Sequence, residues 1–340
     1  MRASARAKKI VASVAGTEGD PGATEAFPNT KESVRKFFRK LGDPKSLRAC
    51  YEAGPCGFVL HRQLTEMQVE CIVVAPTLIP SKPGDRVKTD NRDAMKLARL
   101  LRSGDLTAAW VPDPAHEALR DLVRERAAAR DDLVAAKNRL GKFVLRHGIV
   151  VPVEFRGAAG KLEWLKGLKM DDANLDLVLL DLTGEVDHQR DRVARLEAAI
   201  ERAIAEGPER TRVIVEALQA LRGVALLTAA TLVAEIGSFL RFENPKQLMG
   251  YVGVVPSEHS SGGRVRRGSI TKTGNSRVRH VLIEAAWHVR RRPSLTRALR
   301  KRQEGLTPEV KAISWKAQHR LHARYVHFLG AKKTPQVAVT

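Results

Sequence analysis

The sequence predicts an α/β domain followed by two mostly helical regions. Short β-branched runs alternate with helical periodicity in the first third, two long helical seams follow, and the last third combines helical runs with many cations. A chain of 340 residues exceeds the usual size of one hydrophobic core, so two or three domains are expected. We place the domains at 1–112, 113–206 and 207–330, with a disordered tail at 331–340.

The first region predicts strands at 10–15, 47–51 and 69–74, helices at 31–41 and 58–67, and a Gly/Pro-rich loop at 17–28. Such an alternation implies an α/β layer with at least one parallel pair of strands.

Three carboxylates in this region are candidate ligands of a magnesium ion. Glu52 ends a predicted strand, at the edge where open α/β sheets place their sites. A helix begins at Thr89 or Asp90, and the spacing of Asp90 and Asp93 puts both carboxylates on one face of its first turn. Hard divalent ions take carboxylate oxygens and bridge phosphate oxygens. The alternative is a helix cap with a favourable dipole interaction and an ordinary surface glutamate.

Two long helices follow, with apolar seams at 119–140 and 179–200 that step by three and four residues. A glycine-containing stretch at 141–160 joins them, which favours an antiparallel coiled-coil hairpin or a dimerising arm. Four cationic or titratable residues near the tip are candidates for contact with nucleic acid: Arg139, Lys142, Arg146 and His147.

A glycine turn, Arg222-Gly223-Val224, separates two helical runs in the last region. The arrangement resembles a helix-hairpin-helix unit, in which the turn aims backbone N–H groups at a phosphate. A helix pair of the core is the open alternative.

The stretch Ser260-Ser261-Gly262-Gly263 leads into a dense set of cations. Two glycines let the backbone approach a ligand closely, and guanidinium groups orient phosphates. The pattern indicates a serine hydroxyl held against a phosphodiester, or a basic loop that only grips a nucleic-acid backbone. The cations expected to contact phosphates are Arg264, Arg266, Arg267, Lys272, Arg277 and Arg279.

Charge and composition point to a polyanionic partner. The formal net charge is +21, which favours nucleic acid over the main rival, a membrane surface. No apolar run approaches the roughly 20 residues of a spanning helix, so a cytoplasmic, nucleoid-associated protein is expected. The three cysteines, Cys50, Cys56 and Cys71, lack metal-ligand spacing and are expected to be reduced thiols.

The order of these features along the chain, from the carboxylate domain to the serine stretch, resembles that of the transposases of the insertion sequence 110 family, also called 116/902. The matching stretches are Tyr51-Glu52-Ala53-Gly54, Lys88-Thr89-Asp90 through Asp93-Ala94, Leu221-Arg222-Gly223-Val224 through Phe242, Tyr251-Val252-Gly253, Pro256 through Ser261-Gly262, and Lys272-Thr273-Gly274-Asn275. The resemblance implies a RuvC-like (RNase H-like) domain of DEDD type and a C-terminal domain with a catalytic serine. It also implies a structured bridge RNA that pairs with donor and target DNA.

By position, Ser261 matches the family's serine, with Ser260 as the near alternative. Glu52, Asp90 and Asp93 match the second, third and fourth acidic residues. The family's first Asp would fall near Ser4, and no Asp occurs before Asp20. A start annotated too late, a shortened chain or a lost ligand would each account for this departure.

These inferences predict an RNA-guided DNA recombinase that works as a homo-oligomer, a dimer or a tetramer. Ser261 would attack a phosphodiester, and Glu52, Asp90 and Asp93 would hold Mg²⁺. One alternative is a metal-dependent, structure-specific nuclease that uses only the carboxylates. Another is a catalytically decayed copy that still binds nucleic acid.

Overall fold

The structure is a computed structural model that describes residues 2–3, 8–16, 18–80, 89–155 and 157–340. The chain divides into two compact units, at 1–111 and 112–340. The first unit is an α/β domain and the second is mostly helical. Within the described residues, no helix is both long and apolar enough to cross a lipid bilayer.

The described part of the first unit forms a mixed five-stranded sheet with three helices. The strands are β1 (Arg2–Ala3), β2 (Lys9–Ser13), β3 (Glu25–Pro28), β4 (Arg48–Glu52) and β5 (Glu70–Val74), and the helices are α1 (Lys31–Leu41), α2 (Val59–Glu66) and α3 (Asp90–Ser103). Their order in the sheet is β3-β2-β1-β4-β5. Strands β1, β4 and β5 are parallel, and β2 is antiparallel to both of its neighbours.

The two faces of the sheet are covered by different helices, because successive side chains of a strand point to opposite faces. Tyr51 packs in a core with Phe38 of α1 and Leu64 of α2. The preceding residue, Cys50, packs with Leu97 of α3 on the other face. Strand β4 is thus buried on both sides, as its run of apolar residues requires.

The first unit confirms the predicted strands and helices to within about two residues at each end, with one correction. The segment predicted as a loop at 17–28 ends in strand β3, which pairs Phe27 with Ile10. Phe27 also stacks on Phe37 of α1, with ring centroids 4.6 Å apart. The Gly and Pro residues around this strand are typical of a loop, so the sequence pattern does not predict it. The packing of Phe27 against its tertiary neighbours stabilises the strand.

The second unit contains ten helices and one hairpin in its described part. The helices are α4 (Pro114–Arg146), α5 (Ala158–Gly167), α6 (Ala173–Glu206), α7 (Glu209–Gln219), α8 (Leu226–Ile236), α9 (Pro245–Val252), α10 (Ser276–Ala286), α11 (Arg297–Arg302), α12 (Pro308–Gly330) and α13 (Pro335–Val339). The hairpin is formed by β6 (Pro256–Glu258) and β7 (Arg267–Ile270).

The two long helices, α4 and α6, pack against each other and run antiparallel. Arg126 bonds to Glu197, and further along α4 Asp132 pairs with Arg192, so rising numbers on one helix meet falling numbers on the other. Predicted seam residues such as Leu133 and Val186 are buried between them. Arg126, which interrupts the apolar seam, is accommodated by its ion pair.

One prediction for the second unit, the disordered tail, is wrong. The joining stretch at 141–160 is partly helical, because α4 continues to Arg146 and α5 packs against α6. The basic run at 290–302 is α-helical only in α11, since Pro293 interrupts the run and Thr296 caps a new helix. The tail expected to be disordered at 331–340 contains α13, which packs on α12 and buries Val339.

Candidate active site

Glu52 lies at the end of β4 and faces helix α3. The Cys50 thiol is 3.8 Å from the Leu97 carbonyl oxygen of that helix, which fixes the face of the strand that Cys50 occupies. Side chains two residues apart on a strand share a face, so Glu52 points to the same side. Its side chain is half-buried.

Helix α3 runs antiparallel to β4. At its C-terminal end, Arg99 pairs with Asp20 at 3.1 Å and Arg102 bonds to the Gly19 carbonyl oxygen. Both partners belong to the loop that leaves β2, and this loop lies at the N-terminal edge of β4 because β2 is antiparallel to β1 and β1 is parallel to β4. The N-terminal end of α3 therefore points toward the C-terminal edge of the sheet.

Asp90 and Asp93 lie at that N-terminal end. The Thr89 hydroxyl accepts a hydrogen bond from the Arg92 N–H and caps the helix, as predicted. Asp90 and Asp93 precede Leu97 by seven and four residues, so all three share the helix face that packs on the sheet. Both carboxylates are half-buried.

The backbone thus directs Glu52, Asp90 and Asp93 to one edge and one face of the sheet. Their side chains do not form a finished metal site, since the described residues contain no group of three His, Cys, Asp or Glu side chains that could hold a metal ion. The binding of a metal ion by these three carboxylates therefore stays a prediction. Their all-carboxylate chemistry remains that of a ligand set for a hard divalent cation. Ser4, the position matching the family's first Asp, lies outside the described residues.

The predicted serine loop is the tip of the hairpin formed by β6 and β7. Ser261 and Arg264 form two reciprocal backbone hydrogen bonds, each 3.3 Å long. Gly262 and Gly263 make the turn between them, and Gly262 has φ +58°. Positive φ at the first position of a two-residue turn suits glycine and matches the twist of the flanking strands.

The two serines of the hairpin have different surroundings. The Ser260 hydroxyl donates to the Glu258 carboxylate at 2.8 Å and accepts from the Arg266 N–H at 3.2 Å. Hydrogen bonds from Ser260 and Arg267 lower the pKa of Glu258. Ser261 is exposed, and its hydroxyl makes no hydrogen bond within the described part of the chain. The structure therefore leaves the Ser261 hydroxyl available to a ligand.

The six predicted phosphate-binding cations divide into two groups. Four are exposed on the hairpin and the following turn and helix: Arg264, Arg266, Lys272 and Arg277. The other two have structural partners. Arg267 pairs with Glu258 at 3.3 Å, and Arg279 donates to the carbonyl oxygens of Val252 at 2.7 Å and Thr273 at 3.4 Å. Arg279 thus ties the end of α9 to the turn that precedes α10.

A buried glutamate that the sequence analysis did not single out connects this region to the long helices. The Glu235 carboxylate accepts from Arg124 of α4 at 2.7 and 2.9 Å and from the Asn275 amide at 2.9 Å. Burial raises the pKa of Glu235, but Arg124 and Asn275 outweigh that effect and the net pKa is lowered. The available signal was a single acidic residue in the apolar run of α8.

Close packing explains why residue 223 is a glycine. A Cβ there would overlap the Ala285 carbonyl oxygen and lie 3.0 Å from the His288 ring. With φ +85°, the turn requires glycine and presses against the end of α10. The helix pair around Gly223 thus contributes to the core, as the alternative reading held, and its phosphate-binding role stays a prediction.

Comparison with known proteins relates both units to one group of enzymes. A family model for a DEDD-type transposase of IS110 elements matches residues 6–148, and one described as "Transposase IS116/IS110/IS902 family" matches residues 215–301. A transposase of Sinorhizobium fredii, y4qE, is 46% identical over 278 residues, which cover 81% of this chain and 67% of the relative. The transposase for insertion sequence element IS1533 of Leptospira borgpetersenii is 31% identical over 311 residues, 88% of each chain.

The chain belongs to the IS110/IS116/IS902 family of transposases. This transposase is therefore an enzyme that acts on DNA and moves an insertion sequence. The first matched region contains Glu52, Asp90 and Asp93, and its DEDD type implies the use of a divalent metal. The second matched region contains the serine hairpin and α10, and it ends within α11.

Proposed function

We propose that this transposase cuts and rejoins DNA through a covalent link to Ser261, under the guidance of a structured RNA from its own element. The observation that carries the proposal is the exposed Ser261 hydroxyl at the hairpin tip, beside the exposed cations Arg264 and Arg266. A nucleophile must reach phosphorus, and cations must stabilise the charge that develops on the phosphoryl oxygens. The tip of this hairpin offers both.

The structure favours Ser261 over Ser260 as the nucleophile. The Ser260 hydroxyl closes a bond network between Glu258 and the Arg266 N–H, so its attack on DNA would disrupt the hairpin. Ser261 is held by its backbone alone.

In the proposed reaction the Ser261 oxygen forms a bond to phosphorus and releases its proton. The bond from phosphorus to one deoxyribose oxygen breaks, and that oxygen takes up a proton as the leaving hydroxyl. A hydroxyl of the strand to be joined then attacks the phosphoserine, and Ser261 is released with its proton restored. Each step exchanges one phosphate ester for another, so no external energy source is needed.

We further propose that Glu52, Asp90 and Asp93 hold a divalent cation, Mg²⁺ by the chemistry of its ligands. The support is that three carboxylates face one edge of the sheet. When bound, the ion would neutralise charge on phosphate oxygens. The role of Glu52, Asp90 and Asp93 would be to hold the ion, and Ser261 would form the covalent link.

Sequence choice is proposed to come from base pairing between the RNA and its DNA targets, with the protein gripping backbone and shape. The net charge of +21 suits such contacts. Exchange requires several strands to be cut together, so copies of the chain are expected to act as a dimer or tetramer.

Trapping of a protein–DNA adduct tests the nucleophile. Wild-type protein incubated with its RNA and a nicked or suicide DNA substrate should give a denaturation-resistant adduct. Ser261→Ala should abolish that adduct and leave DNA and RNA binding nearly unchanged, because no phosphate-binding cation is lost. Ser260→Ala should retain it. If the adduct persists in the Ser261→Ala variant, Ser261 is not the nucleophile.

A further inference from the structure

A cavity on the helical arm has the properties of a ligand site. It has a volume of about 220 Å³ and lies where α5 packs against α4 and α6. Its aliphatic walls come from all three helices and are well buried: Leu140 at 5% exposure, Leu162 at 4%, Leu165 at 0% and Val186 at 2%. This volume exceeds the roughly 30 Å³ share of one water molecule several-fold, yet falls below the roughly 300 Å³ of a drug-sized pocket. A group of one or two rings would fit.

Three cations line the same cavity, one from each helix: Lys137 of α4, Lys161 of α5 and Arg190 of α6. Within the described residues, neither lysine makes an ion pair. Arg190 is 3.4 Å from Asp187, which also pairs with Lys166, and Lys166 has Glu163 as a second partner, so the uncompensated positive charge comes from Lys137 and Lys161. The cavity therefore joins an apolar interior to a positively charged rim.

Gly141 opens the cavity on the α4 side. A Cβ at this position would meet no atom within 4 Å, although the residue is only partly exposed. Glycine is unfavourable in a helix interior, since it costs conformational entropy that alanine does not. Its position here preserves the space between Leu140 and the other two helices.

We propose that this cavity binds one nucleotide unit of a single-stranded nucleic acid, with the base against the aliphatic walls and its phosphate on Lys137 and Lys161. A nucleobase has apolar faces and is covalently joined to an anion, which matches this combination of interior and rim. A free inorganic anion would leave the apolar interior unused, and an apolar side chain would leave the lysines unused. The inference rests on the proposed function only in taking nucleic acid as the partner.

Two classes of variant distinguish the contribution of the base to affinity from that of the phosphate. Gly141→Leu fills the cavity and favours the helix, so its loss of affinity should be about tenfold with an unchanged salt dependence. Its control is Gly184→Leu, another helical glycine whose Cβ would meet no atom within 4 Å and which lies outside the cavity.

The double variant Lys137→Gln/Lys161→Gln should flatten the slope of log affinity against log salt by about 0.7, the value of one single-strand phosphate contact. Its control is Arg130→Gln/Arg195→Gln, which removes equal charge from exposed positions on the two long helices, α4 and α6.

The assay is fluorescence anisotropy of the full-length protein with labelled single strands of DNA and of RNA, each with a normal and an abasic version. Wild type should bind the normal strand more tightly than the abasic strand, and Gly141→Leu should remove that difference. If Gly141→Leu weakens the binding of DNA only, or of RNA only, that nucleic acid is the one that the cavity binds. Equal affinity of wild type, Gly141→Leu and Gly184→Leu for both strands would overturn the proposal. Because binding is measured without strand exchange, the result is independent of the Ser261 adduct.

Discussion

Arg124 and Glu235 form a two-point ion pair that links a long helix to the region of the serine hairpin. Their nitrogen–oxygen distances are 2.7 and 2.9 Å, and the Glu235 side chain is fully buried. The Glu235 carboxylate also receives the Asn275 amide, while the Asn275 side-chain oxygen caps α10. A displacement of α4 would therefore shift Glu235 and, through it, Asn275 in the turn that follows the hairpin.

Removal of the Glu235 charge should destabilise the second unit. Glu235→Leu leaves the partly buried Arg124 without its partner, so the free energy of unfolding should fall by about 3 kcal/mol. Glu125→Leu removes an exposed partner of Arg192, which keeps its second partner Asp132, and should cost no more than about 1 kcal/mol. Chemical denaturation monitored by circular dichroism measures both. Equal effects of the two variants would contradict a special role for Glu235.

The same glutamate predicts a pH dependence. Its pKa is lowered in the folded protein relative to an ordinary value of 4.5. A group with a lowered folded pKa stabilises the fold above its unfolded pKa, and that contribution is lost as the pH falls toward the folded pKa. The stability difference between wild type and Glu235→Gln should therefore be full at neutral pH and should shrink below about pH 4.5. A difference that grows with acidity would contradict this assignment.

The exposed cations of the hairpin should act on affinity without sequence preference. Arg264→Gln or Arg266→Gln should weaken duplex DNA binding alike for all sequences and flatten the salt slope by about 0.9. Arg279→Gln should instead lower thermal stability, because it breaks bonds to two backbone carbonyls. Binding titrations at several salt concentrations, with melting curves alongside, separate the two effects. A change in which sequence is chosen, with an intact salt slope, would argue against backbone contact.

The carboxylate edge can be tested by metal binding alone. Glu52→Gln, Asp90→Asn and Asp93→Asn should each weaken Mn²⁺ binding about tenfold or more in calorimetric titrations, as carboxylate oxygens are lost from the ligand set. Asp43→Asn, which changes the cap of a short turn elsewhere in the same unit, is the matched control. Mn²⁺ affinity that is equal in all four variants and wild type would refute the shared site.

A close backbone approach behind the hairpin should make one glycine irreplaceable. A Cβ at Gly253 would overlap the backbone of Thr273, and its φ of +72° is itself unfavourable for other residues. Gly253→Ala should therefore destabilise the protein by about 2 kcal/mol or more. Gly263→Ala, where a Cβ meets no atom within 4 Å, should be nearly neutral for stability. Similar melting temperatures for both variants would be the contrary result.

The sequence by itself determined the local elements and the types of residue that carry chemistry. Helical periodicity and a threonine cap defined α3 with Asp90 and Asp93 on its first turn, and β-branched runs defined β4 with Glu52 at its end. Motif spacing also indicated the family and the serine stretch. These features are readable because they depend on neighbours within a few residues.

Only the tertiary structure decided relationships between distant residues. Strand β3 depends on the packing of Phe27 against Phe37, and the buried role of Glu235 depends on Arg124, which is 111 residues away in sequence. The distinction between Ser260 and Ser261 likewise required the hairpin, since adjacent serines look alike until one of them bonds across the turn. Burial and cross-chain hydrogen bonds arise from the folded arrangement, and no local pattern encodes which side chain will receive them.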